Sequence, residues 1–381
     1  MRQIPIDRVR PGMVIGRTVL NGRGDILLRA GTELNERYID TLRQRGYAGV
    51  IILDPYTDDI ALVEILSERV RQTVTADVCR LYGGLTDTEN EAAVESALGR
   101  MRETIVDMVD EVFESDALIA LQAMRARDTY FFEHAIDGTV VALLIARRLG
   151  YDRPALQRLA AGTLTRDIGM TRIPQTIVDH AGPLTPDQWK LVRQHTSAGF
   201  AILRKYRPGG VIPNAIALQH HERQDGMGYP QGLRGTNRIS THEAAGPGRM
   251  ILDAEIAAVG DIFGALGANR PHREALPPER VVIELQRLAG SHLNRAVVAS
   301  LLAILPVFPV GCEVLVRSGE HRGCHGIVAA VDPENLSRPI VRILTDRNGN
   351  RVAPIEIDLR EDRAVLASVA LSDMPVPVRI A

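Results

Sequence analysis

The sequence predicts a mainly α protein, a helical bundle flanked by a small β-containing module at the N-terminus and a small β module at the C-terminus. Three observations predict it. Apolar residues recur at three- and four-residue spacing through the middle of the chain. Short apolar runs between glycine turns occupy residues 1–54. Four β-like runs separated by turn dipeptides fill the last seventy or so residues. The division that follows is 1–54, 55–127, 128–305 and 306–381.

In the first segment, Val14-Ile15 and residues 25–28 are apolar runs bounded by Pro11-Gly12, Gly22, Gly24 and Gly31. Residues 36–44 read as one helix and residues 49–53 as a closing strand. Residues 57–82 carry Ile60, Val63, Leu66, Val70, Val74, Val78 and Leu81 on one helical face, and Gly83-Gly84 stops the run. A second helix is expected over 92–125, with Val94, Leu98, Met101, Ile105, Met108 and Val112 in register. Such helices suit a stalk, a homodimer seam or packing within a domain, and the sequence leaves these open, with a homodimer favoured. Residues 128–305 are helical pieces broken by polar, glycine-rich loops. Beyond them, residues 312–316, 326–331, 339–344 and 353–359 read as strands, with turns at Ser318-Gly319, Asp332-Pro333 and Asn348-Gly349. A small barrel or sheet is expected there. It lacks the dense basic and aromatic stripe of a nucleic-acid surface.

Composition narrows the function classes. The 381 residues are 45% hydrophobic and 24% charged, with a net charge of −2, so no overall field draws the chain to nucleic acid or anionic lipid. Lysine occurs only at Lys190 and Lys205. Cys79, Cys312 and Cys324 form no CxxC pair and are expected to be free thiols. The start, MRQIPIDRVR, has no apolar signal core, and the longest apolar stretch, 297–310, is too short for a bilayer and holds Pro306 and Pro309. The expected location is the cytoplasm, with no membrane partner.

Four of the ten histidines stand in a pattern with two aspartates. His134 opens a helix, His195 lies within DQWKLVRQHTSAGFAIL read as one helix, and His220-His221 end another. Asp167 lies in TRDIGMTRIP and Asp261 in VGDIFGAL on a further helix. Imidazoles and carboxylates brought inward from several helices are how metal centres are built in bundles. The remaining histidines (180, 242, 272, 292, 321 and 325) fit no such pattern.

The order and wording of these segments, ending in HHERQDGMGYPQGLRG, resemble the HD-GYP family, the branch of HD-superfamily phosphohydrolases that cleaves cyclic di-GMP. The likeness covers about residues 118–305. Ile173-Pro174, residues 182–185 (GPLT) and residues 269–273 (NRPHR) add to it, and the N-terminal RPGM…LLRAGTEL is similar to a module often placed ahead of such domains. The resemblance implies an HD-type bundle and two or three divalent transition metals, often iron or manganese, sharing the motif aspartate. It also implies phosphodiester hydrolysis by activated water. Carried over by position, His134 matches the first ligand, Asp167 the bridging and catalytic aspartate, His195, His220 and His221 the second group, and Asp261 the last ligand. Gly228, Tyr229, Arg223, Arg270 and Arg273 are the expected substrate contacts, because glycine permits close approach and arginine suits phosphate. Glu222 and Asp225 are expected to hold the loop, and Trp189 to pack a helix.

The departures cluster. The motif histidine is Arg166, the lysine expected three residues past the aspartate is Met170, the second acid of the last helix is Gly264, and the arginine of the family's ARI wording is Glu255, in AEI. Tyr130 stands where three-metal members carry glutamate, and residues 238–249, with Gly246 and Gly248, look inserted. A guanidinium offers no lone pair. It would repel a divalent ion about 5 Å away by roughly 7 kcal/mol at an effective dielectric of about 20. Arg166 is therefore expected to pair with Asp167 or Asp261 and leave fewer ions than in intact members, or none. The favoured reading is a weak or inactive relative that senses cyclic di-GMP or a related nucleotide, or docks a signalling partner. An active cyclic di-GMP phosphodiesterase giving pGpG or GMP, and a phosphohydrolase for another nucleotide, stay open beside it.

Overall fold

The computed structural model describes residues 1–21, 25–47, 49–60, 64–85, 90–115, 130–178, 180, 182–207, 210–239, 246–267 and 275–369. Its apolar side chains gather into three clusters: one from residues 4–52, one from residues 66–305 and one from residues 308–364.

The first cluster lies under β1 (Arg2–Pro5), β2 (Val19–Leu20), β3 (Ile26–Leu28), α1 (Glu36–Gln44) and β4 (Gly49–Ile52). Strands β1 and β4 pair antiparallel, as do β2 and β3. Asn35 caps α1 by accepting from the Tyr38 N–H, so the helix begins where the sequence places it.

Helices α2 (Glu68–Gly83) and α3 (Glu91–Glu114) follow. The expected helix over 57–82 is shorter than read, because Ser67 accepts from the Val70 N–H and caps the chain there. Helix α3 also ends earlier, at Glu114, where Arg147 donates to the last-turn carbonyls of Val112 and Phe113. Residues 116–125 of that expectation lie outside the described residues. The stripe of Val70, Val74, Val78 and Leu81 is buried in one cluster with Ile136 and Leu159 of the bundle. That apolar stripe is thus packed within the chain.

The bundle proper contains α4 (Tyr130–Arg148), α5 (Arg153–Thr165), a 3-10 turn at Ile168–Arg172, α6 (Gln175–Val178), α7 (Pro186–Arg193), α8 (His195–Tyr206), α9 (Val211–Gln219), α10 (Leu252–Leu266), α11 (Pro278–Leu288) and α12 (Arg295–Leu302). The segment read as one helix around His195 is two. Thr185 and Gln188 form a capping box that starts α7, and the chain breaks at Gln194. Among the described residues no helix is long and apolar enough to cross a membrane.

The C-terminal strands β5 (Glu313–Val316), β6 (His325–Asp332), β7 (Asn335–Thr345), β8 (Arg351–Asp358) and β9 (Leu366–Ser368) form one antiparallel sheet, in the order β8-β7-β6-β5-β9. Strand β9, absent from the sequence reading, pairs with β5 and accounts for the fifth position. The sheet meets the N-terminal module through Arg2, which bonds the buried Glu313, and through Arg342, which bridges Asp59 and Glu356. It meets the bundle through Ser368, whose hydroxyl donates to Glu279 at 2.6 Å. The overall class is mainly α with small sheets at both ends, as the sequence predicts.

Candidate metal centre

Three helix ends meet at one point. Helix α5 stops at Thr165, and Arg166 and Asp167 follow it directly. His195 is the first residue of α8, and His220 caps the end of α9. The 3-10 turn after Asp167 packs on α8 so tightly that a Cβ on Gly169 would fall 1.9 Å from the His195 carbonyl oxygen. Glycine is the residue that permits this approach, and it draws Asp167 to His195.

Asp167, His195, His220 and His221 each offer a ligand atom, and these atoms lie within 4.8 Å of one another. The tautomers of two rings follow from their partners. His195 Nδ1 lies 2.7 Å from the Val192 carbonyl, and His220 Nδ1 lies 3.1 Å from the carbonyls of Ile216 and Ala217. A carbonyl can only accept, so each Nδ1 carries the proton and each Nε2 is left with a lone pair. Those two Nε2 atoms face each other at 3.3 Å, and Asp167 Oδ1 lies 3.6 and 3.5 Å from them. Lone pairs and a carboxylate converging without a cation repel. Two nitrogens bound to one ion at about 2.1 Å stand roughly 3.0–3.4 Å apart at ordinary coordination angles. The donor set fits a single divalent ion. Burial holds His195 and His221 below the usual imidazole range, which keeps their lone pairs available.

The other half of the expected site is arranged differently. His134 Nε2 lies 2.8 Å from Asp261 Oδ1, and because the carboxylate only accepts, that nitrogen donates. Arg166 is 1% exposed and is the largest fully buried side chain among the described residues. Its Nη2 and Nε donate to Asp261 Oδ1 at 2.9 and 3.1 Å, and Nε lies 3.2 Å from Asp167 Oδ2. Its Nη1 donates to the Thr163 carbonyl at 2.9 Å. The expected pairing with Asp167 or Asp261 is thus made with both. Burial alone would push the two carboxyls up. The Arg166 guanidinium outweighs it and holds both well below the usual carboxylate range. These residues do not fit a second ion, since the cation position is filled and His134 is turned to donate. Gly264 stands against His134: a Cβ there would meet its Nδ1 at 3.1 Å.

The GYP loop covers the four-residue cluster. Gly228 packs so closely on His221 and Glu222 that a Cβ would lie 2.5 Å from the Glu222 Cα, and Tyr229 N donates to the His221 carbonyl. The Tyr229 ring stacks on His221 at 4.9 Å and 27° and meets His195 edge-on. Glu222 accepts from the N–H groups of Gln231 and Leu233 at 2.6 and 2.9 Å, and Asp225 accepts from Arg223 and from Met227 N. Both acids shape the loop, and Arg223 is held by Asp225. Arg270 and Arg273 lie outside the described residues. Met170 lies on the 3-10 turn, and Trp189 is half exposed.

Three features escape the sequence reading. Glu255 sits in a buried amide pair, accepting from Gln224 and Asn294 at 2.7 Å each. Tyr82 of α2 is buried close enough to feel the charges of Asp167 and Arg166, and burial pushes its phenol well up. Arg193 places its guanidinium over the Tyr229 ring. Of the segment read as an insertion, residues 240–245 lie outside the described residues; at its end, Gly248 O accepts from Arg234 N at 3.0 Å, and Met250 N donates to Arg234 O at 3.2 Å.

This bundle, with its histidine–aspartate cluster, defines an HD domain, and residues 120–297 match the HD domain family. The relatives it matches support membership of the HD-GYP family within that class. It is 28% identical over 242 residues to a cyclic di-GMP phosphodiesterase of Pseudomonas aeruginosa, covering 62% of this chain and 54% of that one. It is 34% identical over 161 residues to a cyclic di-GMP phosphodiesterase of Thermotoga maritima, covering 42% and 40%. It is 32% identical over 187 residues to a 3'3'-cGAMP-specific phosphodiesterase of Vibrio cholerae, covering 48% and 37%. The chain therefore spans about half or less of these relatives' own lengths.

Proposed function

We propose that this protein is a cyclic di-GMP signalling component that binds the dinucleotide through a reduced metal centre and hydrolyses it weakly or not at all. The observation that carries the reading is the asymmetry of the site. Asp167, His195, His220 and His221 present unshared electron pairs to one point, whereas His134 and Asp261 are closed on each other and on Arg166.

A divalent ion such as iron or manganese, held by the four-residue cluster, would polarise a phosphoryl oxygen and lower the pKa of a bound water. The protein's own groups do the rest. Helix carbonyls orient His195 and His220, and Asp167 turns one oxygen toward their Nε2 atoms and the other toward Arg166. The rings of Tyr229 and His221 form a stacked wall beside the cluster. Arg166 supplies the fixed positive charge that a second ion would otherwise bring, but as a buried group with its donors already engaged. It can neutralise Asp261 and cannot clamp the second oxygen of an in-line displacement.

The names of the relatives support a cyclic dinucleotide as ligand, and one intact ligand group supports its retention. The same group also favours residual turnover as a second reading. Incubating metal-loaded protein with cyclic di-GMP, while measuring both binding and release of pGpG or GMP, separates the two. Binding without turnover is expected. Brisk turnover with two ions per chain would refute the reduced-centre reading, and turnover of a different phosphoester alone would replace the ligand.

A further inference from the structure

The arginines around the cluster are not equivalent. Arg166 is buried between Asp167 and Asp261. Arg223 is held by Asp225. Arg193 differs from both. It closes α7 two residues before His195, it is exposed, and no described carboxylate pairs with it. Its guanidinium carbon lies 5.2 Å from the centroid of Tyr229. That ring stacks on His221 at 4.9 Å and meets His195 at 6.4 Å, and both histidines belong to the ligand cluster.

A cation held against an aromatic ring is oriented at little entropic cost, and its donors along the edge stay open to solvent or ligand. Nearby, Met170 brings no charge to the place where a lysine is expected. Among the described residues, the end of α7 thus supplies an exposed positive charge beside the cluster. Arg193 touches the Tyr229 ring and not the ligand nitrogens, so it stands aside from the phosphodiester those nitrogens serve. A cyclic dinucleotide carries two phosphates, and the second needs a partner of its own.

Resting on the nucleotide-binding reading above, we propose that Arg193 anchors the phosphate of a cyclic dinucleotide that lies outside the metal cluster, with Tyr229 as the platform that aims it. The guanidinium fork takes a phosphate by two parallel hydrogen bonds, which a lysine ammonium does not reproduce.

The test is calorimetric titration of the full chain loaded with Mn²⁺, using two probes: cyclic di-GMP, with two phosphates, and bis(4-nitrophenyl) phosphate, with one. Arg193→Gln is expected to weaken cyclic di-GMP by about 10–100-fold, the range of charge-assisted hydrogen bonds, with Mn²⁺ content and affinity for the one-phosphate probe unchanged. Arg193→Lys is expected to fall between. Unchanged cyclic di-GMP affinity in Arg193→Gln overturns this inference and leaves the functional reading standing. Equal losses for both probes, or loss of Mn²⁺, also overturn it, because Arg193 would then be supporting the cluster itself. Wild-type protein that holds Mn²⁺ and takes up no cyclic dinucleotide overturns the functional reading, and this inference falls with it.

Discussion

Arg166 Nη2 lies 2.9 Å from Asp261 Oδ1, the same oxygen that accepts from His134 Nε2 at 2.8 Å. One carboxylate oxygen is thus shared by a buried cation and an imidazole N–H, and neither leaves room for a metal at that oxygen. If this sharing limits metal content, Arg166→His combined with Met170→Lys will raise the bound metal from about one ion per chain to about two. Elemental analysis after Mn²⁺ or Fe²⁺ loading measures it, and turnover of cyclic di-GMP should rise alongside. No gain in metal would mean that the lost groups are not what limits the site.

Removing the cation without replacing its charge should be costly. Arg166→Met leaves Asp167 and Asp261 partly buried and uncompensated, and breaking a buried pair on one side costs about 3–5 kcal/mol. Denaturant unfolding of the metal-free variant should show a loss of that order. A loss below about 1 kcal/mol would show that the ion pairs contribute little to the fold.

The same residues set a pH dependence whose sign reverses in the variant. In the wild type both carboxyls are held below their unfolded values, near 3.9. Their contribution to stability is therefore present above the unfolded pKa and is lost as pH falls toward the folded one. Without Arg166, burial and mutual repulsion raise both carboxyls, so the variant should gain stability as pH falls from about 7 to about 5. Thermal unfolding across that range in the presence of a chelator reads the difference. Parallel curves for the two proteins would sink the assignment.

How much of this was open to a reader of the sequence depends on the kind of contact. Asp167, His195, His220 and His221 are legible because each sits in worded segments at element ends, and the structure brings their ligand atoms together. The cation at 166 and its two candidate partners are legible too; that Nε reaches both Asp167 and Asp261 at once depends on how α5 and α10 pack. Helix starts were misplaced where caps decide. Ile60, Val63 and Leu66 continue the apolar spacing of α2, and Ser67 ends it through a side-chain bond that spacing does not register. The break at Gln194 hides for the same reason inside a run with good helical composition. Arg193 was missed because its contact is with Tyr229, thirty-six positions away, and nothing local distinguishes it in an arginine-rich chain. Strand β9 is three residues long, too short to show alternation.

The final prediction separates the metal cluster from the loop that covers it. His220 has its Nδ1 proton committed to helix carbonyls and its Nε2 aimed at the point shared with Asp167 and His195, so His220→Ala removes one ligand atom from the converging set. Gly228 contributes no ligand atom, yet any side chain there would strike the Glu222 Cα and the His221 carbonyl, which a Cβ would approach to 2.5 and 2.6 Å. Gly228→Ala must therefore shift the loop carrying Tyr229 while leaving His195, His220 and Asp167 on their own helix ends. His220→Ala is expected to lose metal and, with it, cyclic di-GMP. Gly228→Ala is expected to keep most of its metal and lose the nucleotide by about tenfold or more, the cost of about one charge-assisted hydrogen bond when the ring that aims Arg193 is displaced. Paired metal analysis and nucleotide titration on the two variants check both halves. Equal metal loss in each would show that loop and cluster are one unit, and unchanged nucleotide affinity in Gly228→Ala would remove Tyr229 from the binding surface.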